Sequence, residues 1–282
     1  MRAVASAIGV NGPRVSPRGE ASERASRGPF LGVSAALCAA SAALTIAWSV
    51  SMAAMDAMPM PGGWTMSMTW MPMPGQSRLA GAASFVGMWL VMMVAMMLPS
   101  LMPTLCRYRR AVARTGERRL GRLTVLLGVG YFLVWAAIGL AVFPLGGALA
   151  AVEMRVPELA RAVPTAVGVV VLLAGALQLS PWKARHLARC RAAPARVCTR
   201  PADPHTAWRH GLSAGLHCSY SCGSLMAILL VIGVMDLRAM AVVTAAITIE
   251  RLAPAPERVA RAIGAGALGA GALMIAQAAG LA

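Results

Sequence analysis

Methionines are the residues of this chain whose number and spacing most clearly predict chemistry. Fourteen of its twenty methionines lie between Met52 and Met102. The thioether sulfur of methionine is a soft ligand, and soft ligands favour Cu(I) over hard ions such as Mg²⁺. The sequence therefore predicts copper binding by methionines, which fall into two blocks with different surroundings.

The first block lies in a segment rich in proline and glycine, which predicts a loop. Most neighbouring methionines there are separated by one or two residues, so several sulfurs can converge on one ion. The loop contains no His and no Cys, so a Cu(II) or Zn²⁺ site made from it alone is not expected. The alternative is an apolar loop on the membrane surface, anchored by Trp64 and Trp70. The candidate ligands are Met52, Met55, Met58, Met60, Met66, Met68, Met71 and Met73.

The second block lies in an apolar run that predicts a helix within lipid. Met88, Met92 and Met96 are four residues apart, and Met93 and Met97 repeat that spacing. Side chains four apart lie on the same side of a helix, so the sulfurs could pass a copper ion from one to the next. Ordinary packing by methionine is the alternative.

Two cysteines in the segment HCSYSC have the spacing of one helical turn. Cys218 and Cys222 would share one face of the predicted helix at 212–235, and two thiolates can hold Cu(I) in linear or, with a methionine, trigonal geometry. The same pair is compatible with a disulfide, or with two small buried apolar side chains. His186 and Cys190 repeat the spacing and form a candidate half-site.

Polar residues also interrupt two of the apolar stretches. Gln178 and Glu250 lie near the ends of predicted membrane helices, where a polar group needs a partner and is a candidate for function. We expect Gln178 to form a hydrogen bond between helices.

The composition predicts an integral membrane protein of the all-α class, a polytopic bundle of transmembrane helices. Apolar residues make up 58% of the chain, charged residues 13%, and the mean hydropathy is +0.67. About seven stretches are candidates to span a bilayer. The sixth is short, so six helices remain an alternative. The stretches are 30–50, 79–102, 123–145, 162–181, 212–235, 237–252 and 262–281.

The distribution of basic residues predicts the orientation of the chain. The net charge is +16, and one topology places 22 of the 26 Lys and Arg on the same side. By the positive-inside rule, the N-terminus is cytoplasmic and the methionine-rich loop at 51–78 faces outward. Residues 1–29 are predicted to be a disordered basic cytoplasmic tail, and residues 30–282 the transmembrane domain. Cleavage near Ser51 to Ala54 would leave six helices. Nucleic-acid binding is not expected.

Four segments of the chain resemble a known family. In order, WLVMMVAMMLPSLMP, GYFLVWAAIGL, GALQLSPWKARHLARCR and GLHCSYSCGSLMAILLVIGVMDL resemble the bacterial predicted metal-binding integral membrane proteins, a domain of unknown function, over about residues 79–275. The resemblance implies a multi-helix inner-membrane protein that handles copper. Cys190, Cys218 and Cys222 match cysteines of the family pattern. His186 replaces one cysteine and a further cysteine is lacking, so a three-cysteine site does not carry over.

Together these features favour a Cu(I) chaperone or permease in a bacterial inner membrane. Its expected partners are the lipid bilayer and a cuproprotein or another membrane subunit. Enzymatic activity is not expected, because the sequence has no GxSxG, HExxH or P-loop motif. Two alternatives remain: a membrane thiol/disulfide redox protein, and a structural or assembly subunit that uses no metal.

Overall fold

The computed structural model of the protein describes residues 17–54, 58–66, 70, 77–114, 119–192 and 203–281. The side chains of residues 17–27, 66, 114 and 190–192 lie outside that description. Within it the chain forms eight α-helices and one short pair of β-strands. The predicted all-α bundle is confirmed.

Eight helices follow one another along the described chain. They are α1 (Pro17–Ala53), α2 (Arg78–Arg114), α3 (Leu120–Arg155), α4 (Pro157–Gln178), α5 (Pro181–Ala192), α6 (Pro204–Ile232), α7 (Leu237–Leu252) and α8 (Pro256–Ala278). The antiparallel strands are β1 (Met58–Pro59) and β2 (Thr65–Met66).

Six of the described helices are long and apolar enough to cross a membrane: α1 from Gly28 onward, α2 to Ala113, α3, α4, α6 and α8. The sixth predicted stretch, 237–252, forms α7 with the predicted bounds. Its 16 residues cover only about 24 Å as a helix, which is less than a hydrocarbon core of roughly 30 Å. The structure thus gives six candidate spans and a shorter helix packed against α2, α6 and α8.

Helix α1 begins earlier than the sequence predicts. It starts at Pro17, within the segment expected to be disordered, whereas residues 1–16 of that segment lie outside the described part of the chain. Proline is favoured in the first turn because its fixed φ suits a helix and its missing N–H has no partner there anyway. The Glu and Ala that follow are good helix formers.

Local signals explain where the other helices start. Proline is the first residue of α4, α5, α6 and α8. Asp203 caps α6 by accepting a hydrogen bond from the Thr206 amide at 2.9 Å, and Asp236 caps α7 by accepting one from the Ala239 amide at 2.8 Å. The Asp203 cap thus fixes the start of the helix that carries the cysteine pair.

Glycines let two pairs of helices approach closely. Gly168 of α4 faces Gly271 of α8, where a Cβ atom on Gly271 would lie 2.6 Å from the Leu172 amide nitrogen. Gly130 of α3 similarly faces Gly211 of α6. On α8 the close contacts lie at Gly264 and Gly271, seven residues apart, and such small residues allow helices to pack closely.

The outward faces of the helices are apolar, whereas the core lies mainly between α2, α3, α6 and α7. On α3, Val125, Leu140 and Leu145 expose 64%, 58% and 71% of their surface, as expected of side chains that meet lipid. Inside, the Trp89 indole N–H donates to the Trp135 carbonyl at 2.9 Å. This hydrogen bond joins α2 to α3 beside the candidate site.

Candidate metal site

The two cysteines of α6 lie together in the core. Cys218 and Cys222 are 0% and 1% exposed, and their sulfur atoms are 3.8 Å apart. The helical spacing that predicted a shared face is therefore reproduced by the geometry. Because neither sulfur reaches solvent, the pair can exchange a ligand only with groups inside the bundle.

The separation of the sulfurs fits a metal ion between them. With metal–sulfur bonds of about 2.3 Å, two sulfurs would be about 4.6 Å apart in linear, about 4.0 Å in trigonal and about 3.8 Å in tetrahedral coordination. The observed 3.8 Å therefore suits three or four ligands better than two. A metal ion held at this spacing would therefore have at least one further ligand.

Met226 is a sulfur donor on the same face of α6 that the sequence reasoning missed. It lies four residues after Cys222, is 5% exposed and belongs to the same core cluster as both cysteines. Side chains four residues apart lie on the same side of a helix, so Met226 is a candidate third sulfur ligand beside Cys222. The signal was present in the sequence, because Cys218, Cys222 and Met226 follow one another at intervals of four residues.

Tyr131 of α3 supplies a polar contact to the cysteine pair. Its hydroxyl donates a hydrogen bond to the Cys218 sulfur at 2.9 Å, and the side chain is 1% exposed. Gly215 allows this approach, because a Cβ there would lie 2.8 Å from the Tyr131 carbonyl oxygen. A buried hydroxyl donor stabilises negative charge on the sulfur.

Arg251, at the end of α7, brings a positive charge to the same place. Its guanidinium donates to the Ser100 hydroxyl at 3.3 Å and to the Ser221 hydroxyl at 3.4 Å. The Ser221 hydroxyl in turn donates to the Cys218 carbonyl at 2.9 Å. The half-buried Arg251 side chain thus connects α2 and α6 beside the thiol.

A buried polar network lies next to Ser221. The Lys183 ammonium forms an ion pair with the Glu250 carboxylate at 2.7 Å and donates to the Ser221 carbonyl. Gln178 donates to the other Glu250 oxygen at 2.6 Å and accepts from the Ser224 hydroxyl at 2.9 Å. Gln178 therefore forms the hydrogen bond between helices that the sequence predicted, and Glu250 has charged and neutral partners.

The methionines of α2 line the same core. Met92, Met93, Met96 and Met97 are 0–3% exposed, and Met88 is half-buried against them. The predicted stripe of sulfurs thus faces inward rather than toward lipid. Copper transfer along Met88, Met92 and Met96 stays a prediction, and packing accounts equally for their burial.

His186 lies away from the cysteine pair. Its ring centroid is 4.4 Å from that of Trp182 and 5.2 Å from that of Tyr220. Tyr220 is 49% exposed and follows Cys218 by two residues, so it points about 200° away from the sulfurs. The structure therefore does not bring His186 to Cys218 and Cys222.

The environment of His186 nevertheless suits a neutral imidazole. Burial lowers the pKa of His186, and the nearby Arg189, His217 and Arg185 lower it further. Its Nδ1 atom is buried and has no hydrogen-bond partner in the described part of the chain. The Cys190 side chain lies outside the described residues, so the His186–Cys190 half-site stays a prediction.

Part of the methionine-rich loop is folded as a β-hairpin. The strand register pairs Met58 with Met66, and the Trp64 indole N–H donates to the Ala160 carbonyl at 2.8 Å. Met60 is 8% exposed and packs against Ala150 and Ala160. The hairpin is thus docked on the turn between α3 and α4.

The other loop methionines differ in their surroundings. Met58 is 39% exposed, and Met52 is half-buried at the end of α1. Met55, Met68, Met71 and Met73 lie outside the described residues, as does the side chain of Met66. Among the residues described, no group of three or more His, Cys, Asp or Glu could hold a metal ion.

A comparison with protein-family models gives one result that bears on this arrangement. The model of a family described as PpoB2, copper chaperone, matches residues 86–274. Comparisons with curated proteins and with solved structures give no match. The matched segment runs from α2 to α8 and contains every residue of the cysteine site and its polar network.

Proposed function

The chain belongs to the PpoB2 family of copper chaperones, and from that premise we propose that it binds copper as Cu(I) between Cys218 and Cys222 within a membrane. The observation that carries this proposal is the pair of buried sulfurs 3.8 Å apart. Thiolate and thioether ligands select Cu(I) over the harder ions. Met226 is the third ligand.

The methionines are the route by which copper reaches this pair. Those of the loop capture the ion outside the membrane, and Met88, Met92 and Met96 pass it to the buried cysteines. This route runs along one side of α2, whose methionines share a core with Cys218 and Cys222. The protein then acts as a chaperone or permease in the inner membrane of a bacterium, with a cytoplasmic N-terminus.

The role is binding and transfer rather than catalysis. The copper it carries passes to a cuproprotein or to another membrane subunit, and no nucleic acid takes part. His186 and Cys190 hold the ion near the cytoplasmic side before release. The lowered pKa of His186 supports this assignment, because a protonated ring cannot bind a metal.

A Cu(I) competition assay on the detergent-purified chain, reduced and free of oxygen, tests the proposal. Replacing both Cys218 and Cys222 by Ser should weaken Cu(I) binding by at least about a hundredfold, because both thiolates are lost. The matched control is the double replacement of Cys38 and Cys106, the other described free cysteines, which are half-buried. This control variant should bind Cu(I) with the same affinity as the unchanged chain.

The loop methionines are tested separately. A variant with Leu at all eight loop methionines should keep its equilibrium Cu(I) affinity at the cysteine pair but load more slowly when the chain is in vesicles. If the folded, unchanged chain binds no copper above background, the proposed function is wrong. If loading is equally fast without the loop methionines, only the capture step is wrong.

A further inference from the structure

Met235 lies in the tight turn between α6 and α7, at the end of the bundle where the methionine-rich loop begins. Its thioether sulfur accepts a hydrogen bond from the Ser49 hydroxyl of α1 at 3.6 Å. Ser41 and Thr45, on the same face of α1, instead donate to carbonyls of their own helix at 2.7 and 2.8 Å. Of these three hydroxyls, that of Ser49 is the one that donates to a group outside α1.

The turn holds Met235 in a fixed place. Gly233 ends α6 with a φ of 144°, a conformation that favours glycine. The Asp236 amide donates to the Gly233 carbonyl at 3.1 Å, and the Asp236 side chain caps α7. Met235 is half-buried and packs against the core cluster that contains Cys218 and Cys222.

Met52 supplies a second thioether beside Ser49. The sequence placed it in the loop at 51–78, whereas the structure places it in the last turn of α1, which ends at Ala53. Residues three apart on a helix are neighbours, with about 5–6 Å between their Cβ atoms, and Met52 follows Ser49 by three. Its side chain is half-buried, and a methionine side chain is long and unbranched, so it can turn toward a ligand.

We propose that Met52 and Met235 form an entry site for Cu(I) between the loop and the core, a statement that deepens the function proposed above and rests on it. Thioethers are soft ligands that select Cu(I) and Ag(I) over harder ions. Two neutral thioethers attract a cation less strongly than two thiolates do. The ion therefore passes on as Cu(I), without oxidation, to the stronger ligands.

Further sulfurs follow this site inside the bundle. Met226 lies seven residues before Gly233, which is about 10 Å along α6, and it belongs to the same core cluster as Cys222. Met88 of α2 also packs against that cluster. The entry site thus lies where the loop, the methionines of α2 and the helix of the cysteine pair can exchange an ion.

The first test is the rate at which the cysteine pair is loaded with Cu(I) from a chelator, measured on the full chain in vesicles. Met235→Leu should slow loading at least about fivefold and leave the equilibrium affinity of the pair within about twofold, because the thioether is lost and the thiolates remain. Met52→Leu should do the same. The matched control is Met154→Leu, a methionine of α3 that is 41% exposed, which should load as fast as the unchanged chain.

The second test detects the entry site directly. A chain with Cys218→Ser and Cys222→Ser should still bind Ag(I) weakly, and adding Met235→Leu should reduce the number of bound Ag(I) ions, whereas adding Met154→Leu should not. Leu matches the size of Met, so the variants should fold, and thermal unfolding checks this. Unchanged loading and unchanged Ag(I) binding in folded Met235→Leu variants would overturn this inference alone. Absence of Cu(I) binding in the unchanged chain would overturn the proposed function.

Discussion

The sulfur atoms of Cys218 and Cys222 are 3.8 Å apart on one face of α6, and neither reaches the surface. A disulfide needs sulfurs about 2.05 Å apart, so the pair would have to close by almost 2 Å. Exchange with another protein also needs an attacking thiolate to reach one of the sulfurs. The burial of both sulfur atoms therefore argues against the alternative of a membrane thiol/disulfide redox protein.

The first prediction concerns the oxidation state of this pair in cells. Rapid acid quenching followed by alkylation in denaturant, without reductant, should label both cysteines completely. Mass spectrometry of the peptide that contains them provides the measurement. A quantitative Cys218–Cys222 disulfide would favour the redox alternative over copper binding.

The second prediction concerns Met226. Met226→Leu keeps the size of the side chain and removes the sulfur, so stability should change by less than about 1.5 kcal/mol, while Cu(I) affinity falls at least tenfold. Met240→Leu is the matched control, because Met240 is equally buried in the same core but lies on α7. Equal Cu(I) affinities in the two variants would exclude Met226 as a ligand.

The third prediction concerns the buried ion pair. Glu250→Gln leaves the Lys183 ammonium without its carboxylate and should destabilise the bundle by roughly 3 kcal/mol. Adding Lys183→Met should recover most of that loss, because no buried charge is then uncompensated. Thermal unfolding in detergent measures both effects, with the exposed Glu257→Gln as control. No recovery in the double variant would contradict the pairing.

The fourth prediction concerns the contact between α4 and α8. Gly271→Ala places a methyl group against the Leu172 backbone and should cost about 1–3 kcal/mol by overpacking. Gly269→Ala, on the same helix, meets nothing within 4 Å and should be neutral or stabilising. Similar unfolding temperatures for both variants would show that α4 and α8 can move apart without loss of stability.

The helices and the cysteine pair could be predicted because their signals are local. Apolar stretches mark the spans, and a four-residue spacing is enough to place Cys218 and Cys222 on one face. Met226 follows Cys222 at the same four-residue spacing, so the sequence carried the same signal for it. Copper was predicted from ligand softness, and the matching family agrees with it.

The polar surroundings of the site could not be predicted in the same way. Lys183 belongs to a basic segment whose charges are typical of a membrane surface, and its partner Glu250 is 67 residues away. Tyr131 and Cys218 are 87 residues apart. Such residues come together only when α3, α5, α6 and α7 pack against one another. No periodic pattern in the sequence indicates that packing.

The Lys183–Glu250 pair also constrains the order in which the protein is built. Lys183 leaves the ribosome 67 residues before the carboxylate that neutralises it, and an unpaired ammonium is costly inside lipid. We therefore expect α5 to pack into the bundle only after α7 has been synthesised and can supply the Glu250 carboxylate. The cysteine pair, which lies between these two segments in the chain, is sealed from water only when that late docking step is complete.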